Sequence, residues 1–284
     1  MKVLLTGSKG QLGRCFQDRI PTGWDVWATD SNILDITDLS AVNAAVKKYQ
    51  PNFIVNAAAY TAVDKAETER ELAVLVNEMG PKNLALAANN IGARLVHVST
   101  DYVFDGTATI PYVETDATNP LGIYGQTKLD GEITVTTIQP NAIIIRTAWV
   151  FSEYGNNFVK TMLRLAKERD NLSIVADQRG CPTYAGDIAQ AIIDLLKQEA
   201  EGGIYHFCGD KEVTWNEFAC EVFSKAVFLE KIVTSPRVNA ITSKQYPTPA
   251  RRPSFSTLNT MKIGMYQIKA SDWQRGLLEV LVKI

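Results

Sequence analysis

Histidine is nearly absent from this chain: His97 and His206 are the only two among 284 residues. A metal centre or hydrolytic triad built on imidazole has little to draw on. Any acid–base group is therefore expected to be another side chain. Cysteine is scarce too. Cys15, Cys181, Cys208 and Cys220 show no C-x-x-C spacing, which predicts four reduced thiols packed as small hydrophobes. No apolar run approaches the roughly 20 residues needed to cross a bilayer. The opening MKVLLTGSKG has too short an apolar stretch for a secretory leader and reads as a first strand. Together these features predict a cytoplasmic protein with no membrane partner. An excess of one charge is also missing. Lys and Arg number 29 against 31 Asp and Glu, a net charge of −2, which argues against a nucleic-acid partner.

What is present is a globular composition. Hydrophobic residues make up 46% and charged residues 21%, which excludes a disordered chain and a collagen-like fibre. The length fits one large or two small domains at about 150 residues each. Short apolar runs at Val3–Leu5, Asp25–Thr29, Phe53–Val55, Arg94–Val98 and Ala142–Arg146 predict strands. Helical patterns separate them. One begins near Gln11, one covers Asp38–Tyr49 with Asp38 as its N-cap, and one covers Lys65–Asn90 with a kink or break at Gly80-Pro81. Another begins near Tyr124. Strands apolar on both faces and alternating with helices imply a parallel sheet covered on both sides. The predicted fold class is α/β, a Rossmann-type doubly wound parallel sheet with a smaller α+β substrate-binding domain. The expected division is 1–150 for the dinucleotide-binding part and mainly 151–284 for the cap, with a helix near 184–198 returning to the sheet. Asn157–Lys167 and Gly186–Leu196 read as helices, and Gly203–Phe207 as a further strand.

The first strand runs into Gly7-Ser8-Lys9-Gly10-Gln11-Leu12-Gly13, a G-x-x-G-x-x-G loop. Gly7 permits the tight turn, Gly10 lets backbone approach a pyrophosphate, and Gly13 lets the helix pack on the sheet. The helix start, with Gln11 and Leu12, offers N–H groups and partial positive charge to phosphates. No Gly-Lys-Ser/Thr ending follows, so this is not a nucleoside-triphosphate P-loop. Asp30 closes the second strand, where an acid accepts from adenosine ribose hydroxyls and favours NADH. Lys9 and Arg14 favour NADPH, because either can pair with a 2′-phosphate. The expected cofactor is therefore NADPH or NADH.

Tyr124 and Lys128 form Y-x-x-x-K, which places both on one helix face. A free tyrosine has a pKa of about 10, and a neighbouring ammonium favours its phenolate. Such a pair can exchange a proton with a carbonyl oxygen. Thr100 ends the fourth strand, at the sheet edge where ligands bind in open α/β folds. Its hydroxyl can bond the same oxygen.

Glycine loop, strand-end threonine and Tyr-x-x-x-Lys, in that order, resemble the extended short-chain dehydrogenase/reductase family. Further segments carry the likeness over nearly the whole chain: VNAAAYTAVDKAE at 55–67, VSTDYVFDG at 98–106, YGQTKLDGE at 124–132, RTAWVF at 146–151, ADQRGCPT at 176–183 and ARRPSFSTLN at 250–259. More narrowly, the chain is similar to the branch that reduces dTDP-4-dehydro-L-rhamnose to dTDP-L-rhamnose. The resemblance implies hydride transfer to the 4-keto carbon of a dTDP-4-keto sugar. It implies that Tyr124 protonates the oxygen, that Lys128 binds the nicotinamide ribose, and that Thr100 polarises the carbonyl. Ala57, Ala58 and Ala59 match positions beside the cofactor, and Asp35 and Ile36 match positions near adenine. Val63, Asp101, Tyr102 and Trp149 match the substrate side.

The same resemblance brings a diphosphate, for which Arg179, Arg251 and Arg252 are candidate partners. Asn156 and Asn157 are read as helix-capping residues. Related 4,6-dehydratases carry Asp-Glu after the threonine; here Asp101-Tyr102 follows, and the elimination base is missing. Some members bind Mg2+ through acids at a dimer interface. One such position is Cys15 here, and a thiol is a poor magnesium ligand. The expectation is no metal, and a monomer or weak homodimer. Two alternatives stand beside the reductase: a non-catalytic nucleotide-binding subunit on the same scaffold, and a reductase or epimerase of another nucleotide sugar.

Overall fold

The computed structural model describes residues 1–284. A six-stranded parallel sheet forms its centre. In chain order the strands are β1 (Lys2–Thr6), β2 (Asp25–Ala28), β3 (Phe53–Asn56), β4 (Arg94–Thr100) and β5 (Ile143–Thr147). Between them lie α1 (Gln11–Gln17), α2 (Leu39–Tyr49), α3 (Val63–Ala66), α4 (Arg70–Val74), α5 (Gly80–Ile91) and α6 (Ile123–Ile138). Beyond β5 come β6 (Val150–Phe151), α7 (Phe158–Glu168), β7 (Asn171–Val175), β8 (Arg179–Gly180), β9 (Thr183–Tyr184), α8 (Ala185–Lys197) and β10 (Gly203–His206). The chain finishes with β11 (Val213–Thr214), α9 (Trp215–Phe228), β12 (Arg237–Ile241), α10 (Met261–Gly264) and α11 (Trp273–Lys283).

The sheet order is β10-β5-β4-β3-β1-β2. The sixth strand, β10, thus comes from the second half of the chain and pairs in parallel with β5. The apolar strands bury both faces, as parallel strands between helices must. In β5, Ile143 and Ile145 join the core under α1 and α8, while Ile144 joins the core under α2, α5 and α6. A third core packs α7, α9 and α11 around Phe218, Phe223 and Trp273. This is the smaller layer, with β7 and β12 paired in parallel at its side.

The long helical stretch departs from expectation in one place. Of the kink or break expected at Gly80-Pro81, there is no break: the helix passes through a π turn at Leu75–Met79 into α5. Pro81 offers no N–H to the carbonyl four residues back, and its ring crowds that carbonyl. A widened turn accommodates both. The true interruption lies earlier, between α3 and α4. The widened turn also turns Asn77 inward, where its Nδ2 donates to Tyr60 O at 3.0 Å and to Thr127 Oγ1 on α6 at 3.3 Å. Asp38 caps α2 as predicted, accepting from Ala41 N at 3.0 Å.

Candidate active site

At the carboxyl edge of the sheet, the turn after β1 opens a cavity of about 600 Å3. Gly7 holds a left-handed φ of 69°, and a Cβ there would stand 2.5 Å from Ala58 N. A Cβ on Gly13 would stand 2.2 Å from Gly7 O. Both positions therefore demand glycine, and the loop folds tightly against the chain leaving β3. Gly10 begins α1 with no side chain capping its N–H groups. Gly10, Gln11 and Leu12 line the cavity. A second hollow of about 300 Å3 shares Gly10 and Ala57–Ala59 with it and is lined by Asp30, Asp35 and Ile36. The two form a groove that passes the glycine loop, floored by small side chains. That shape fits an extended dinucleotide.

Asp30 sits at the far end of this groove. It accepts from Asn32 N at 3.0 Å and Ile33 N at 3.1 Å and is ion-paired to Lys9. The Lys9 hydrogen bond leads the causes holding its carboxyl below the usual range.

Tyr124, Lys128 and Thr100 all face the larger cavity. Two contacts set the start of α6. Glu67 Oε1 accepts from Ile123 N at 2.9 Å and caps the helix from the loop after α3. Gly125 brings α6 against the turn after β4, where a Cβ would stand 2.2 Å from Tyr102 O. The ring of Tyr102 meets that of Tyr124 edge-on at 5.4 Å. Thr100 Oγ1 donates to Asp101 Oδ1 at 3.0 Å and accepts from Tyr102 N at 3.2 Å.

The charges depart from the sequence reading in one respect. Burial pushes the Tyr124 phenol up to about 12; the Thr100 hydroxyl beside it opposes this and the Asp101 charge adds to it. The downward pull expected from Lys128 does not prevail, because the Lys128 ammonium is turned to Val98 O at 2.6 Å. Tyr124 is thus a neutral phenol at neutral pH, suited to giving a proton. Burial also pulls Lys128 down to about 8, with Glu132 acting the other way. Asp101 is pushed up to about 6 by burial, against the opposing pull of the Ser256 and Thr100 hydroxyls beside it. Its Oδ2 is buried without a hydrogen-bond partner.

The substrate-side candidates divide. Val63, Asp101, Tyr102 and Trp149 line the cavity. Trp149 adopts a φ of 47° and stacks on Trp215 at 3.5 Å. Arg179 and Arg252 do not line it. Arg179 is ion-paired to Glu212. Arg252 Nη2 reaches Asp64 Oδ2 at 2.7 Å and lines a separate, open depression with Arg251 and Asp105. Each is paired with a carboxylate outside the cavity. Asn157 caps α7, accepting from Lys160 N at 3.2 Å. Its Nδ2 donates to Gln11 Oε1 at 2.9 Å, which also accepts from Ser152 Oγ at 3.0 Å. Gln11 therefore ties the glycine loop to the smaller layer.

Both histidines are buried away from the cavity: His97 lies 3.0 Å from Asn56 Nδ2, and His206 Nδ1 lies 3.0 Å from Tyr112 O. All four cysteines are free, and Cys15 is buried with its thiol pushed up to about 12, mainly by burial. Sequence reading passed over Glu67, Asn77, Trp215 and Glu132. Only Glu132 carried a signal, the same four-residue step that links Tyr124 to Lys128.

The RmlD substrate binding domain family matches residues 1–284. A dTDP-4-dehydrorhamnose reductase of Aggregatibacter actinomycetemcomitans is 47% identical, with 98% of each chain covered. The enzyme of that description from Escherichia coli K12 is 43% identical over 99% of this chain and 97% of its own. Among solved structures, a dTDP-4-dehydrorhamnose reductase of Bacillus anthracis in complex with NADP superposes with a TM-score of 0.94. It is 37% identical and covers 100% of this chain and 99% of its own.

Proposed function

Because the chain belongs to the RmlD substrate binding domain family, we propose that it reduces the 4-keto group of dTDP-4-dehydro-L-rhamnose to give dTDP-L-rhamnose, using NADPH or NADH. It is an NAD(P)H-dependent oxidoreductase with a Rossmann fold. The observation that carries the reading is the joint lining of one cavity by the glycine loop, Thr100, Tyr124 and Lys128.

Bound NAD(P)H supplies the hydride that reaches the keto carbon. The chain's own residues do the rest. The backbone from Gly7 to Gly13, including Gly10, Gln11 and Leu12, receives the pyrophosphate at the open start of α1. Asp30 accepts from the adenosine ribose, with Lys9 beside it for a 2′-phosphate. Asp35 and Ile36 flank adenine, and Ala57, Ala58 and Ala59 leave room along the floor. Tyr124 gives its proton to the C4 oxygen as charge develops there, and Thr100 turns its hydroxyl from Asp101 to donate a hydrogen bond to the same oxygen. Lys128 holds the nicotinamide ribose and places positive charge beside the phenolate that Tyr124 becomes. Val63, Asp101, Tyr102 and Trp149 hold the sugar. Arg179 and Arg252 serve the diphosphate by exchanging their present carboxylates for it.

Residues 1–150, joined by α8 and β10, make the dinucleotide half, and the remainder of 151–284 makes the cap. No helix is long and apolar enough to cross a membrane, and we read the protein as a cytoplasmic monomer or weak homodimer. The test is loss of reduced-nicotinamide absorbance on mixing the protein with NADPH or NADH and a panel of dTDP-, UDP- and GDP-4-keto sugars. Rapid loss with the dTDP sugar is expected. No loss with either cofactor on any sugar would sink the reading.

A further inference from the structure

Tyr124, Lys128 and Glu132 follow one another at four-residue steps on α6, so they share a face. The first two reach the cavity. Glu132 lies at 2% exposure beneath it and Arg146, on β5, at 3%. Arg146 Nε donates to Glu132 Oε1 at 3.0 Å and Oε2 at 3.1 Å, and its Nη2 donates to Oε2 at 2.7 Å. Ser99 Oγ, on β4, donates to the same carboxylate. Ser99 and Arg146 are register partners across β4 and β5, one residue before Thr100 and Thr147. The guanidinium also lies over the Phe104 ring at 5.1 Å. One carboxylate thus pins the middle of α6 to the last paired rows of two strands, immediately under the cavity.

A buried pair of this kind is a poor way to gain stability, because well-packed apolar residues of similar volume commonly do as well or better. What an apolar pair cannot supply is a fixed direction of approach, or a negative charge one helical turn from Lys128. We propose that Glu132, held by Arg146 and Ser99, is a positioning residue for the reduction. It sets α6 so that Tyr124 and Lys128 meet Thr100 over one substrate oxygen, and it keeps Lys128 protonated. The proposal rests on the reductase reading above. Around Lys128 the titratable groups are Tyr124 and Glu132 on its own helix and His97 on β4. Burial holds His97 neutral, with the Lys128 charge adding to this. Glu132 is therefore the one anion that supports the ammonium.

Three variants test this: Glu132→Gln, Arg146→Lys, and Glu132→Leu combined with Arg146→Met, which refills the volume without charge. Each is assayed for folding by thermal unfolding, for NADPH binding by fluorescence, and for kcat across pH. The expected result in the folded variants is at least a tenfold fall in kcat, with NADPH affinity within about threefold of the parent. In the variants lacking Glu132, the alkaline limb of the pH profile should also move down by at least one unit. Parental kcat and an unmoved limb in any folded Glu132 variant would overturn the proposal. So would failure of all three to fold, which would make the pair a stability element. An inactive parent protein would instead refute the reductase reading itself.

Discussion

At the residue scale, the site depends on two side chains held away from their solution behaviour. Tyr124, pushed up to about 12 chiefly by burial, keeps its proton at neutral pH. Tyr124→Phe removes that proton while leaving the ring and its contact with Tyr102. A loss of about 10²–10⁴-fold in kcat is expected, with NADPH affinity unchanged by fluorescence titration. Lys128 carries a cost. Its ammonium titrates near 8 in the folded protein against 10.5 for the free side chain, because burial disfavours the charge. Between these values the unfolded chain binds more protons, so this group makes stability rise with pH across that window. Below pH 8 the penalty is present in full. Lys128→Met should therefore stabilise the fold most at pH 7 and progressively less towards pH 10, as read by urea unfolding of variant and parent side by side.

At the element scale, α6 brings Tyr124 and Lys128 to the cavity, and its placement is set from outside itself. Glu67 caps it, Gly125 lets it touch the turn after β4, and Asn77 reaches it from the π turn. Gly125→Ala puts a methyl group into the Tyr102 carbonyl. The expected result is a destabilisation of ~1–3 kcal/mol by denaturant titration, together with a fall in kcat larger than that for a surface alanine on the same helix. The helix itself was legible in the sequence, as were all six sheet strands, because apolar runs and helical spacing are local properties. The π turn was not. Its cause, Pro81, was visible, but whether a proline ends a helix or widens it depends on what packs against the freed carbonyl. Arg179 and Arg252 illustrate the same limit. Their charge is readable, but their partners Glu212 and Asp64 lie 33 and 188 residues away in sequence, beyond the reach of any local pattern.

At the scale of the whole molecule, the dinucleotide groove and the smaller layer meet along the cavity, and Gln11 belongs to both. Its carbonyl oxygen receives Asn157 and Ser152 from the second half while its backbone lies in the glycine loop. Whatever fixes that loop also fixes the start of α7, and the converse holds with equal strength. If NADPH and dTDP both draw on this brace, any change one makes in the other's affinity is returned by the same factor, whichever arrives first. Gln11→Ala should lower that factor from both directions. Calorimetric titration of NADPH with and without dTDP, and of dTDP with and without NADPH, would show the two ratios shrinking together. A hydrogen bond that looks like packing would then make the empty protein a poorer host for either ligand alone than for the two together.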